Sequence, residues 1–159
     1  MKKLTSFLTA FAVTTAFSGA AFATSPDAYV VNFRNDNDPN SQALDGALAS
    51  AMALSGANVE EVVIDTSTAA KWEKGAHEAF DRDIVPVFNK WVGLPGFAVI
   101  VNAKTKRIMG CVNSTFSASE MANEIRKMAS RATGSAYLSN ASVRSKTTSC
   151  PAAHNVDHG

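Results

Sequence analysis

The chain has 159 residues, with 15 basic and 14 acidic side chains and a formal net charge of +1. A near-neutral chain without a run of basic residues lacks the electrostatic footprint of a protein that binds nucleic acid or an anionic membrane surface. We therefore expect its partners to be proteins or small molecules.

The N-terminus has the three parts of a secretory signal peptide. Lys2 and Lys3 give a positive start, residues 4–17 form an apolar core, and residues 21–23 (Ala-Phe-Ala) provide a small-x-small cleavage site. An N-terminal membrane anchor is the alternative, but threonine and serine interrupt the apolar stretch. That stretch is also shorter than the ~20 apolar residues of a spanning helix.

We expect cleavage after residues 1–23 to leave a mature protein of 136 residues that begins at Thr24, in the periplasm or medium of a bacterium. Loss of the two lysines leaves 13 basic and 14 acidic residues, a net charge of −1. No cysteine follows the cleavage site directly, which argues against a lipoprotein anchor, and we expect no membrane span after cleavage. This length suits one domain over residues 24–132, followed by an irregular Ser/Thr/Asn-rich tail over residues 133–159 that carries Cys150.

Hydrophobic patterning predicts a strand, a helix and a strand in the first half of the mature chain. Residues 28–33 are apolar and β-branched, which favours a strand. Asp38 is a good N-cap, Pro39 suits the first helical position, and an apolar stripe carries the helix to Gly56. The short apolar run within residues 59–65 fits a strand buried on both faces of a sheet.

The second half predicts two helices, a hairpin and a final helix. A helical pattern covers residues 68–80, and a shorter turn or helix follows over residues 87–91. Residues 97–101 and 107–112 are apolar strands joined by a short polar turn, which predicts an antiparallel hairpin. Residues 117–131 form an amphipathic helix. The predicted order is β-α-β-α-β-β-α.

Three segments resemble the thioredoxin superfamily. Residues 92–100 (Val-Gly-Leu-Pro-Gly-Phe-Ala-Val-Ile) place a Gly-x-Pro before an apolar strand, residues 106–110 (Lys-Arg-Ile-Met-Gly) end the hairpin in glycine, and the helix of residues 117–131 follows. With the element order, the resemblance covers residues 28–131. It implies an α/β fold with a mixed four-stranded central sheet and flanking helices, in which Pro95 is a cis-proline.

The catalytic part of that family's pattern is missing. Thioredoxin-like oxidoreductases carry Cys-x-x-Cys where the first strand meets the first helix, because the helix N-terminus lowers the pKa of one thiol. Here residues 35–41 read Asn-Asp-Asn-Asp-Pro-Asn-Ser, and none of these side chains exchanges disulfides. Asp36 and Asp38 are either capping residues or a carboxylate site for a cation or an amine, and capping is the simpler interpretation.

The sequence contains two cysteines, Cys111 and Cys150, which are 39 residues apart. An even number in an oxidising compartment predicts a disulfide, which would hold the tail against the sheet. Free thiols, intermolecular bridges and metal ligation are the alternatives. As a nucleophile Cys111 would need a nearby base or cation, and Arg107 in the same predicted strand is the one that the sequence offers.

The tail ends in Cys-x3-His-x3-His, where His154 and His158 follow Cys150. These are ligands that suit zinc or copper, and their spacing would let several reach one ion. A tail without a rigid supporting shell makes a poor metal site, so we expect no bound metal and no other cofactor. His77 lies alone on its predicted helix and is expected at the surface or partly packed.

Residues 83–88 (Asp-Ile-Val-Pro-Val-Phe) and 91–95 (Trp-Val-Gly-Leu-Pro) look like the approach to the cis-proline in the cysteine-free, thioredoxin-like pilin-assembly proteins of F-type conjugative systems. This local likeness implies a non-catalytic periplasmic scaffold or assembly factor for an envelope machine, related to conjugation or secretion, with envelope proteins as partners. The alternative is a thiol-dependent or metal-binding protein that uses Cys111, Cys150 and the tail histidines. The missing Cys-x-x-Cys favours the scaffold, which is not an enzyme.

Overall fold

The computed structural model of the protein describes residues 25–135 and 149–153. The elements follow the predicted order, with the predicted short helix present as α3. They are β1 (Ala28–Arg34), α1 (Pro39–Ser55), β2 (Val59–Asp65), α2 (Ala69–Asp81), α3 (Val85–Trp91), β3 (Phe97–Asn102), β4 (Ile108–Asn113) and α4 (Ala118–Thr133).

The four strands form one mixed sheet in the order β2-β1-β3-β4. β1 pairs parallel with β2, from Ala28 opposite Val59 to Arg34 opposite Asp65. The parallel pair is connected through α1, since parallel strands need a crossover rather than a tight turn. β3 pairs antiparallel with both β1 and β4. The predicted α/β class, with a mixed four-stranded sheet and flanking helices, is confirmed.

Each face of the sheet carries its own hydrophobic core. Successive residues of a strand point to opposite faces, so Val30 and Val31 of β1 belong to different cores. On the first face Leu48 of α1 and Ile125 of α4 are fully buried. On the second face α2 and α3 pack, and Trp91 is 1% exposed. The end of β1 therefore emerges between two packed layers of helices.

The helix ends follow the signals in the sequence. Asp38 caps α1 by accepting a hydrogen bond from the backbone N–H of Ser41 at 2.8 Å. Gly56 ends the helix with a φ of 60°, a left-handed conformation that glycine adopts without strain. At α4, Ser117 and Glu120 cap each other's backbone N–H groups in a capping box.

Two predictions about individual elements are wrong. β2 lies at the edge of the sheet and Val63 is 41% exposed, so this strand is not buried on both faces. The helix predicted over residues 87–91 begins earlier, at Val85. Pro86 sits in its first turn, where a missing N–H costs no helical hydrogen bond.

No helix among the described residues is long and apolar enough to cross a membrane. The predicted signal peptide (residues 1–23) and the tail residues His154 and His158 lie outside the described ranges.

Candidate functional site

The candidate site is the junction between β1 and α1, residues 35–41, which is where the family resemblance would place catalytic cysteines. The loop before β3 packs against it, since the N–H of Gly96 donates to the carbonyl of Phe33 at 2.8 Å. A Cβ on Gly96 would lie 2.9 Å from both Asp38 Oδ2 and Asn40 Cβ. Ser114, in the loop after β4, bonds Asn40 at 3.3 Å. Three loops therefore meet at the N-terminus of α1.

Asp38 and Ser41 form the central contact of this junction. The Ser41 hydroxyl donates to Asp38 Oδ2 at 2.8 Å and accepts from the N–H of Asn35 at 3.2 Å. Ser41 is fully buried. Its hydroxyl is thus committed on both sides and shielded from solvent, which leaves it no route to act as a nucleophile toward a substrate.

Asp36 and Asp38 do not combine into a cation site. Asp38 is the helix cap, as the simpler interpretation predicted. Asp36 instead pairs with Lys71 of α2 and with Arg34, whose guanidinium lies 2.8 Å away. The amine that Asp36 binds is therefore one of this chain's own lysines.

Arg34, the last residue of β1, is the centre of a charge cluster with Asp36, Asp45, Asp65 and Lys71. Its guanidinium pairs with Asp65 and lies 3.0 Å from Asp45. Lys71 also reaches Asp65 at 3.2 Å. The cluster joins the end of β1 to α1, β2 and α2, so it fixes the relative positions of the elements around the junction.

Asp65 is the buried member of the cluster, with 6% exposure. Burial by itself raises the pKa of a carboxyl group. Here the hydrogen bonds from the Ser67 hydroxyl and N–H and from Lys71, together with the positive charge of Arg34, outweigh burial. They hold the pKa of Asp65 below its ordinary 3.8. The hydrogen bond from Lys71 likewise lowers the pKa of Asp36. Both carboxylates are ionised at neutral pH and neither is suited to act there as a general acid.

Sequence reasoning missed Arg34, Asp45, Asp65 and Lys71 as parts of the site. They lie on four separate elements, and no local motif links them. The sequence does carry one signal of the cluster, which is that β1 and β2 end in residues of opposite charge. These residues, Arg34 and Asp65, lie directly opposite each other in the parallel pairing.

The prediction that Pro95 follows a cis peptide bond is wrong in this structure, where no peptide bond among the described residues is cis. The chain instead makes its turn with two glycines, Gly93 at a φ of 87° and Gly96 at 93°. These left-handed conformations reverse the chain on either side of Pro95. Pro95 itself is exposed at the surface beside the junction.

Cys111 and Cys150 are joined, with their Cα atoms 5.0 Å apart, in agreement with the predicted disulfide. The bond holds residues 149–153, which we call the clip, against the second face of the sheet. The indole N–H of Trp91 donates to the Pro151 carbonyl at 3.0 Å, which gives the clip a second attachment. Cys111 is 4% exposed, so it is a buried, bonded residue rather than an available thiol.

The other candidate residues stay apart from the junction. Arg107 is exposed in the turn before β4, and His77 is exposed on α2. Within residues 25–135 and 149–153, no three His, Cys, Asp or Glu side chains are grouped so that they could hold a metal ion.

Comparisons of the chain with protein-family models, curated proteins and solved structures found no match.

Proposed function

We propose that this chain is an exported, thioredoxin-like domain that works without catalysis, as a scaffold or assembly factor for a machine of the bacterial envelope. The element order and the mixed four-stranded sheet support the fold proposal. Asp38 and Ser41 support it further, because they stand three residues apart at the N-terminus of α1 with their side chains in contact. This is the arrangement that two cysteines of a Cys-x-x-Cys would need in order to bond.

One observation carries the proposal: the polar groups at the junction are occupied by one another. The Asp38 carboxylate caps the helix, the Ser41 hydroxyl is buried and bonded twice, and Asp36 is paired with Lys71. Catalysis needs a group that is free to reach the substrate with a suitable protonation state. A junction built this way is rigid and displays a surface, which suits association with another protein.

The cysteines support the same conclusion from another part of the molecule. Thiol exchange needs an accessible thiolate with a nearby resolving thiol. Cys111 is buried in β4 and bonded to Cys150 of the clip. The pair therefore serves stability, and envelope proteins that bind this domain would do so by non-covalent contacts. Conjugation or secretion is the process that the local likeness around Pro95 suggests.

Cross-linking in cells tests this function. Partners are captured with the wild-type protein and with the Cys111→Ser/Cys150→Ser variant, once with a non-reducible cross-linker and once by acid quenching that traps mixed disulfides. We expect the cross-linker to capture the same envelope proteins with both proteins, and acid quenching to trap none. A partner trapped only as a mixed disulfide, and lost from the cysteine variant, would show a thiol-dependent enzyme instead.

A further inference from the structure

A second surface lies at the opposite end of the sheet from the junction. β3 runs from Phe97, which pairs with Phe33 beside the junction, to Asn102, which pairs with Ala28 at the start of β1. Five residue steps of strand separate these ends, roughly 17 Å. At the far end there is a cleft of about 450 Å³, which we call the basic cleft, lined chiefly by Asn102, Thr105, Arg107, Ile108, Met109 and Arg131.

Arg107 and Arg131 are the charged groups of the basic cleft. Both are exposed, and none of the described residues that line the cleft is Asp or Glu. Neither arginine makes an ion pair with another residue in the described part of the chain. In contrast, Arg34 contacts three carboxylates and Arg82 contacts two. Arg126 of α4 has no carboxylate partner either, but it donates to the carbonyls of Ser55 and Leu54. Arg107 and Arg131 therefore differ from the other three arginines of residues 25–135 in that their guanidinium groups face the cleft without such partners.

The fold holds both arginines on one cleft through Asn102. Its side-chain oxygen accepts hydrogen bonds from the N–H groups of Lys104 and Thr105, which fixes the turn that leads to Arg107. Its side-chain nitrogen donates to the carbonyl of Ala132 at 3.4 Å, next to Arg131 on α4. The bonds of Asn102 thus tie the backbone near Arg107 to the backbone near Arg131.

The basic cleft also has an apolar part. Ile108 is 38% exposed, one of the few large hydrophobic side chains at the surface of the described residues, and Met109 lies beside it. The pairing of β3 with β4 shifts here, between Ile100 and Val101, so that Met109 is an extra residue on β4. Such irregularities change the direction of neighbouring side chains and recur at functional edges of sheets.

We propose that the basic cleft binds an acidic segment of a partner protein, in which carboxylates pair with Arg107 and Arg131 and an apolar side chain contacts Ile108. Charge complementarity identifies this occupant, since arginine pairs with carboxylates through strong, two-pronged hydrogen bonds. The segment that directly follows the described end of α4 does not supply the carboxylates, because residues 136–148 contain Arg144 and Lys146 but no acidic residue. The inference rests on the proposed function in that it assumes a protein partner, and it names the chemistry of that partner.

Titration of a labelled peptide tests the proposal. The probe is a fluorescein-labelled peptide in which glutamate alternates with leucine, and its fluorescence anisotropy gives the affinity. The amide NMR signals of the purified protein, followed during the titration, show which residues the peptide contacts. We expect saturable shifts confined to the residues around Asn102, Arg107 and Arg131. The Arg107→Gln/Arg131→Gln variant should bind about tenfold more weakly or worse, because it loses charge-assisted bonds at both positions.

A matched variant, Lys74→Gln/Lys90→Gln, removes the same charge from exposed positions on α2 and α3. It should bind the probe as the wild type does. The arginine variant should melt at the wild-type temperature because its changes are at the surface, whereas the control variant loses the cation–π contact of Lys90, which lies 4.7 Å from the ring centre of Trp91. Equal weakening in both variants would overturn the proposal, since it would show general charge attraction. Equal affinity for a peptide with glutamine in place of glutamate would overturn it too.

Two other occupants give distinct results, each of which overturns the proposal. If a chain ended after Ala153 binds the probe much more tightly than the full chain, the protein's own C-terminus, with Asp157, occupies the basic cleft. If vesicles of phosphatidylglycerol bind with the same dependence on Arg107 and Arg131 while the peptide does not, the ligand is a membrane surface. None of these outcomes depends on thiol chemistry, so they are separate from the test of the scaffold function.

Discussion

Asp65 is buried and ionised because Arg34, Lys71 and Ser67 surround it. Its pKa is lower in the folded protein than the ordinary 3.8, so folding favours the charged form. This contribution is present above the pKa of the unfolded chain and is lost as the pH falls through the lower pKa of the folded state. We predict that Asp65→Asn lowers the free energy of unfolding at pH 7 by about 1–3 kcal/mol. The difference from wild type should shrink as the pH falls below 3.8.

Urea denaturation at a series of pH values measures this effect. Asp81→Asn is the control, because Asp81 is an exposed carboxylate at the end of α2. It should leave the pH dependence close to that of the wild type. A difference between wild type and Asp65→Asn that stays constant down to strongly acid pH would contradict the assignment.

Gly96 is required by its conformation and by its neighbours. Its φ of 93° is strained for any residue with a Cβ, and that Cβ would lie 2.9 Å from Asp38 Oδ2 and from Asn40 Cβ. We predict that Gly96→Ala lowers the free energy of unfolding by about 1–3 kcal/mol from backbone strain alone. Displacement of the Asp38 cap should add to this loss, and thermal unfolding followed by circular dichroism measures the total.

Gly93→Ala is the matched control for the neighbour contacts. Gly93 has a similar φ of 87°, but nothing lies within 4 Å of an added Cβ. This variant should show the strain without the displaced cap, and so should be the more stable of the two. Equal losses in both variants would mean that the loop does not press on the N-terminus of α1.

Among the contacts between elements, the attachment of the clip should have the largest effect on the free energy of unfolding. The disulfide closes a loop across a sequence separation of 39 residues. In the chain-entropy model such a cross-link stabilises the fold by up to about 4 kcal/mol. We predict that Cys150→Ser loses much of this, and that Trp91 fluorescence shifts to the red because its indole N–H loses the Pro151 carbonyl.

The control for the clip is Ser149→Ala, an exposed change that retains the disulfide. It should keep both the stability and the emission maximum of the wild type. If Cys150→Ser melts at the wild-type temperature with unchanged emission, the clip contributes nothing to the second core.

Most elements could be predicted from the sequence because their signals are local. The Asp38 cap, the Gly56 stop and the alternating apolar residues each act within a few positions, and each is present in the structure. The exposure of β2 could not be predicted in this way. Its apolar run is the same whether a strand is central or at an edge, and the difference depends on which helices cover it.

The candidate site was predicted only in part, for the same reason. The junction and the Asp38 cap follow from neighbouring residues, but the charge cluster depends on the parallel pairing of β1 with β2 and on the approach of α2. The turn at Pro95 was predicted from a family resemblance rather than from its glycines. Gly93 and Gly96 carry the left-handed conformations of this turn in the structure.

Across the whole molecule, the two ends of the sheet differ in charge and in how that charge is used. At the junction, Arg34 and Lys71 are paired with carboxylates. At the other end, the basic cleft presents Arg107 and Arg131 without paired carboxylates among the described residues. If the proposed scaffold binds proteins at both ends, the variants at each end should impair different partners.

Insulin reduction with dithiothreitol measures directly whether the protein carries out thiol–disulfide exchange. We predict background rates for the wild type and for Cys111→Ser, and a gain of turnover for Asp38→Cys/Ser41→Cys, which places Cys-x-x-Cys at the N-terminus of α1. Loss of the Asp38 cap should cost that variant about 1 kcal/mol without unfolding it. If the wild type turns over insulin and Cys111→Ser abolishes that turnover at an unchanged melting temperature, the protein is a cysteine enzyme and not a scaffold.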